Sequence, residues 1–166
     1  AYPYGLVEAK LSSDELENMR VRFERLRLVL PSGIEINVPE TTDLPPLDIK
    51  RVFESGSGSF TISIGVPLWY PTRSNTIELG SAEDWRAKRI YKVVETDVAD
   101  ENSGDNAQPM LLRRINARLL LDNEDTTDLE VLPLLRIAHA TGDEVGLPRQ
   151  DPDYIPPCLV LSGSPT

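Results

Sequence analysis

Between residues 19 and 38 apolar and polar side chains alternate with a period of two, and the alternation slips once. Met19, Val21 and Phe23 alternate with Arg20, Arg22 and Glu24, and then Leu26, Leu28 and Leu30 alternate with Arg25, Arg27 and Val29. Successive side chains of an extended chain point to opposite sides, so this pattern belongs to a strand with one buried face. At Glu24-Arg25 two polar residues stand together, and an uncorrected slip would turn the leucines to solvent. A β-bulge at this point restores a common buried face and is predicted there.

Leu30-Pro31-Ser32-Gly33-Ile34 follows. Pro31 presets φ at the first corner and Gly33 is free to take φ > 0, which predicts a bulged three-residue turn with Ile34, Ile36 and Val38 on the returning strand. Phe60, Ile62, Ile64 and Val66 alternate with Thr61, Ser63 and Gly65 and read as another half-buried strand. Residues 91–98 and 115–121 are further strand candidates, the latter with Ile115, Ala117, Leu119 and Leu121 on one side. Residues 134–138 and 158–161 are short apolar runs, read as strands buried on both faces.

Helix signals are few. Residues 81–84 have capping-box spacing and predict one or two turns reaching residue 88, and residues 12–15 have the same spacing just before the alternating stretch. The Gly-Ser run within residues 54–59 reads as a connector, a loop tip or an engineered join, and residues 97–108 and 122–128 as exposed loops. With 14 prolines in 166 residues the chain is punctuated more often than an average protein, in which about 5% of residues are proline. About seven short strands in one domain-sized chain predict an all-β fold, an antiparallel β-sandwich with at most short helical turns, as a single domain over residues 1–166.

Charge and residue inventory narrow the chemistry. The formal charge of −10 repels nucleic acid and anionic lipid, so neither is an expected partner. Residues 1–92 hold 13 acids and 12 bases, and residues 93–166 hold 14 acids and 5 bases. That concentration serves loop solubility or forms an acidic docking edge for a basic partner. The single Cys158 and single His139 exclude an internal disulfide and a Cys/His zinc site. No apolar run is long enough to span a bilayer, and residues 1–10 lack a signal peptide's basic start and apolar centre. The chain is expected to be cytoplasmic, with no direct membrane insertion. It opens on Ala1 without a methionine and is expected to be a piece of a longer polypeptide.

Catalytic patterns fail one by one. An EF-hand register starting at Asp122 would need Gly at its sixth place and Glu at its twelfth, where Thr127 and Pro133 stand. Gly56-Ser57-Gly58-Ser59 is followed by Phe60-Thr61-Ile62 without the lysine of a phosphate loop. His139 ends an apolar run and reads as a strand-end residue, and Cys158 as a small core residue. No catalytic residue, cofactor or metal site is expected. The aromatic clusters Tyr2-Pro3-Tyr4 and Trp69-Tyr70-Pro71 either plug the ends of the core or form a binding surface for sugar or protein.

Several segments carry a family resemblance. Ala1-Tyr2-Pro3-Tyr4-Gly5-Leu6, Leu30-Pro31-Ser32-Gly33, Leu44-Pro45-Pro46-Leu47, Arg118-Leu119-Leu120, Leu132-Pro133-Leu134-Leu135-Arg136-Ile137 and Tyr154-Ile155-Pro156-Pro157-Cys158-Leu159 occur in this order. Together they resemble the N-terminal region of the TssK family, baseplate subunits of the bacterial type VI secretion system. The opening and closing segments are the most specific. The resemblance implies a β-sandwich shoulder, similar to the shoulder of phage receptor-binding proteins, within a homotrimeric cytoplasmic adaptor that attaches to the baseplate wedge proteins. The chain lacks the Pro-Gln-His-Phe-like segment usual before the Tyr-Pro-Tyr-Gly motif and ends before any stalk or head, so it is expected to be an excised shoulder. A non-enzymatic assembly module is the first reading, and a carbohydrate-binding β-sandwich is the alternative. Exposed aromatics dominate interface energetics, which makes Tyr2, Tyr4, Trp69, Tyr70 and Tyr154 the candidate partner-binding residues.

Overall fold

In the computed structural model, which describes residues 3–56, 58–68, 76–77, 91–99 and 107–159, the alternating stretch forms an antiparallel hairpin. The elements run β1 (Gly5–Leu11), α1 (Ser13–Glu17), β2 (Arg20–Val21), β3 (Phe23–Val29), β4 (Glu35–Val38), β5 (Thr42–Asp43), β6 (Leu47–Asp48) and α2 (Lys50–Glu54). They continue with β7 (Phe60–Pro67), β8 (Thr76–Ile77), β9 (Tyr91–Ala99), β10 (Ala107–Asn116), β11 (Arg118–Leu120), β12 (Leu129–His139) and β13 (Pro148–Gln150).

The predicted bulge is present. Lys10 pairs with Arg25 and Leu11 with Phe23, so Glu24 is the extra residue. Val21 and Phe23 before it and Leu26, Leu28 and Leu30 after it are all buried on one face. The turn closes as expected: Leu30 N–H donates to Ile34 O at 2.9 Å, Gly33 N–H donates to Leu30 O at 2.8 Å, and Gly33 takes φ 93°. Met19, counted in the alternation, is instead the residue that stops α1. Its N–H donates to Leu16 O at 3.0 Å and its φ is 62°, the left-handed conformation in which helices commonly end. The helix itself is capped as its sequence requires, with Ser12 Oγ accepting from Glu15 N–H at 3.3 Å.

Two sheets build the sandwich, one ordered β1-β3-β4 and the other β11-β7-β12-β13. Their inner faces share one core that includes Leu26, Leu28 and Ile36 from the first and Ile62, Ile64, Leu132 and Ile137 from the second. A further sheet ordered β5-β10-β9-β8 and a small β2-β6 pair complete the described residues. The all-β architecture matches the expectation, with two short parallel pairings, β5 with β10 and β8 with β9, inside a mainly antiparallel scheme.

Several segment assignments change. Residues 115–121 are not one strand: the chain passes from the β10 sheet to the β7 sheet at the fully buried Ala117. Residues 134–138 lie within the longer β12, where a bulge at Leu134 lets both Leu134 and Leu135 turn inward. Of residues 97–108, the ends belong to the β9–β10 hairpin, because that ladder extends to the Ala99–Ala107 pair. Of the run expected over residues 158–161, Cys158 forms a parallel bridge to Leu6, and residues 160–161 lie outside the described residues. The helix expected over residues 81–88 lies outside the described residues. α2, unannounced by any capping signal, precedes the Gly-Ser run and has no side-chain cap hydrogen bond.

Candidate interaction surface

The most specific sequence segments, the opening and the closing one, are joined in space. Leu6 N–H donates to Pro157 O at 2.7 Å and Leu159 N–H donates to Leu6 O at 3.0 Å, so residues near 158 run parallel to the start of β1. Gly5 makes this approach feasible. Its φ is +136°, and a Cβ there would stand 2.9 Å from both Cys158 C and Pro157 O. Tyr4, the aromatic next to this seam, is 46% exposed. Ile155 follows Tyr154 toward the seam and is 70% exposed.

Tyr154 is placed differently. Arg136 pairs with Thr61 across β7 and β12, between the core residues Ile62 and Phe60, and therefore stands on the outer face of that sheet. Its guanidinium lies 5.1 Å from the Tyr154 ring centroid, a cation–π stack that holds the half-buried phenol against the sheet. The loop before it is tied down by Asp151 N–H donating to Arg136 O at 2.8 Å. Burial pushes the Tyr154 phenol above its ordinary value, with Asp122 adding to the rise and Arg136 opposing it. Asp122 in turn accepts from Thr61 N–H at 3.1 Å.

Of the five candidate aromatics, Tyr4 lies next to the seam of the chain ends and Tyr154 on a sheet face, and Tyr2, Trp69 and Tyr70 lie outside the described residues. His139 ends β12 as expected and stacks on Phe53 of α2, ring centroids 4.0 Å apart. Cys158 is half-buried against the core, its Sγ–H donating to Pro156 O at 3.1 Å, and burial pushes the thiol up. Among the described residues no three His, Cys, Asp or Glu side chains are grouped to hold a metal ion. No helix among them is long and apolar enough to cross a membrane. The loop at residues 122–128 is exposed, and its carboxylates serve the chain itself: Asp125 Oδ1 accepts from Thr127 N–H at 2.9 Å and Glu124 Oε2 from Leu121 N–H at 2.7 Å. Sequence reasoning missed the exposed apolar pair Val145 and Leu147 in the turn before β13, because two isolated aliphatic residues carry no period.

Fold and surface together define a β-sandwich module whose notable side chains lie at its rims and on an outer sheet face. The whole chain, residues 1–166, matches the family model described as "Bacterial Type VI secretion, VC_A0110, EvfL, ImpJ, VasE", and the chain belongs to this family. It is 26% identical over 164 residues to the type VI secretion system baseplate component TssK1 of Pseudomonas aeruginosa, covering 98% of this chain and 35% of that protein. Its fold is similar to a chain in a cryo-electron microscopy structure of the TssK-TssF-TssG baseplate subcomplex, with a TM-score of 0.80 at 24% identity over 98% of this chain and 52% of that one. It is also similar to a chain in a baseplate complex of the type VI secretion system, with a TM-score of 0.78 at 25% identity, 99% of this chain and 35% of that one. The chain thus spans between about a third and half the length of these relatives, and it corresponds to the N-terminal part of TssK.

Proposed function

We infer that the chain is a single shoulder domain, residues 1–166, of a longer baseplate subunit, and that it docks onto baseplate wedge proteins without transforming a substrate. The observation that carries this reading is its likeness, over nearly the whole chain, to part of a structure described as a TssK-TssF-TssG subcomplex. The composition agrees: a strongly acidic chain is a poor ligand for nucleic acid or anionic membrane, which leaves proteins as the natural partners. In this reading the full-length subunit is a cytoplasmic homotrimer and needs no cofactor.

The test is capture of TssF and TssG from solution by the full-length subunit. Tyr4→Ala combined with Tyr154→Ala, and separately Trp69→Ala combined with Tyr70→Ala, are expected to weaken capture while leaving the melting temperature nearly unchanged. Full capture by both double variants removes these aromatics from the interface. A glycan array is expected to be blank, and discrete sugar hits would transfer the aromatic surface to carbohydrate recognition.

A further inference from the structure

The turn that joins β4 to β5 is gripped from two sheets at once. Arg114, on β10, spreads its guanidinium over it: Nε donates to Asp43 Oδ1 at 2.5 Å, Nη1 donates to Glu40 O at 3.0 Å, and Nη2 donates to Pro39 O. From the other side Arg25, on β3, donates through Nη1 to Glu40 Oε1 at 2.9 Å and pairs through Nε with Glu8 of β1 at 3.4 Å. The two arginines meet at Glu40, one at its carbonyl and the other at its carboxylate.

The same stretch ties the β10 sheet to the sandwich by its backbone. Ile115 N–H donates to Thr41 O at 3.0 Å and Ala117 N–H donates to Asp43 O at 3.4 Å, which makes β5 a parallel neighbour of β10. Toward the first sheet, Thr41 N–H donates to Asn37 O at 2.8 Å and Asn37 N–H donates to Thr42 Oγ1 at 3.3 Å. Residues 39–43 thus pass directly from one sheet to the other, and Thr42 is buried at the crossing. The side chain of Arg114 is 18% exposed and that of Arg25 40%, so water screens the Arg114 grip less and it is the stronger of the two.

Arginine is required at 114 because its planar fork offers several donors in fixed directions, whereas a lysine ammonium is a point charge that does not match three spread acceptors. We propose that the stretch Pro39 to Asp43 is a coupling joint: Arg114 and Arg25 hold one conformation of it together, so that release from the β10 side weakens the hold on the β3 side, and the reverse. Both grips share Glu40, whose backbone, once freed from Arg114, no longer aims its carboxylate at Arg25. Two contacts that act through one element share a coupling free energy, and that coupling is reciprocal. A displacement of the β9–β10 hairpin therefore reaches β3 and β1 through Glu40, Arg25 and Glu8. The joint belongs to the fold and does not rest on the docking reading.

The test is hydrogen–deuterium exchange of the full-length subunit, followed by mass spectrometry on peptides spanning residues 37–43 and 113–117, with residues 60–67 of β7 as reference. Arg114→Gln is expected to speed exchange of both test peptides by about tenfold, through loss of charge-assisted hydrogen bonds, while the reference stays within about twofold. Arg25→Gln is expected to speed exchange of residues 113–117 as well, although its ion-pair partners Glu8 and Glu40 lie outside that peptide. The variant carrying both changes is expected to exchange more slowly than the product of the two single effects, because a joint already released from one side offers the other arginine little to hold. Arg114→Lys is expected to exchange within about threefold of Arg114→Gln, since charge without the fork does not hold the turn. Asp43→Asn, which keeps the acceptor and removes its charge, replaces Arg114→Gln in each comparison if that variant does not fold. Unchanged exchange of residues 113–117 in Arg25→Gln, effects that multiply in the combined variant, full protection in Arg114→Lys, or an equal rise in the reference peptide overturns the proposal.

Discussion

Gly5 combines a positive φ with backbone that an added Cβ would meet at 2.9 Å, and both conditions select against a side chain. The conformational strain of a non-glycine residue in such a region is about 1–3 kcal/mol, and the contact with Pro157 and Cys158 adds to it because backbone cannot step aside. Gly5→Ala is therefore expected to lower unfolding free energy in denaturant titration by about 2 kcal/mol or more. Gly56→Ala, at φ +72° with nothing within 4 Å of the added carbon, is expected to cost less. A second residue reports through pH. Glu40 is held below its ordinary 4.5 chiefly by a backbone hydrogen bond, with help from Arg25, whose Nη1 donates to its Oε1 at 2.9 Å. A depressed folded value contributes stability above the unfolded value and loses it as pH falls through the folded one. The stability difference between the protein and Glu40→Gln is expected to be present at pH 7 and to close below pH 4.5, measured by urea midpoints at each pH. Of the residues chosen from sequence, Tyr4 was chosen by its aromatic type alone, because the closing segment with Pro157 adjoins the start of β1 in space and not in sequence. Tyr154 was legible by type but not by setting, since nothing in its neighbours announces Arg136.

At the scale of elements, alternation spoke clearly wherever a strand keeps one partner face throughout. β3, β4 and β7 follow this rule, and the slip at Glu24 located a bulge to the residue. Deleting Glu24 removes the extra residue and leaves Phe23, Arg25 and Leu26 in plain alternation, with Phe23 and Leu26 still on one face. That deletion is expected to retain cooperative unfolding followed by circular dichroism, whereas deleting Arg27, which sets Leu26 and Leu28 next to each other on opposite faces, is expected to abolish it. Alternation failed where the chain changes partners without changing phase. Ile115, Ala117 and Leu119 all turn toward the core, so the passage from β10 to β11 leaves the pattern intact and the boundary invisible. In β12 the bulge at Leu134 produces adjacent buried leucines, which reads as a strand buried on both faces. α2 is too short for a period, and its N-cap residue Ile49 has no capping side chain to announce it.

The molecule as a whole closes its sandwich by bringing residues about 150 positions apart into one seam, through Leu6, Pro157 and Leu159. A chain ending at Tyr154 forfeits both hydrogen bonds and the buried Pro156. It is expected to melt several degrees lower than residues 1–166 by differential scanning calorimetry, since about 1 kcal/mol moves the midpoint of a domain this size by about 2–4 °C or slightly more. The opening and closing motifs were recognisable in sequence as family segments, but their pairing was not, because no local signal links strands so distant. The seam also has a direction. Because residues near 158 run parallel to β1, tension drawing Tyr4 and Leu159 apart along the strand axis loads both hydrogen bonds together in shear, so they must break in concert and not one after the other as in peeling. A domain stitched this way resists a pull between those two points more strongly than its thermal stability alone would indicate, because forced opening follows the unfolding rate along that axis.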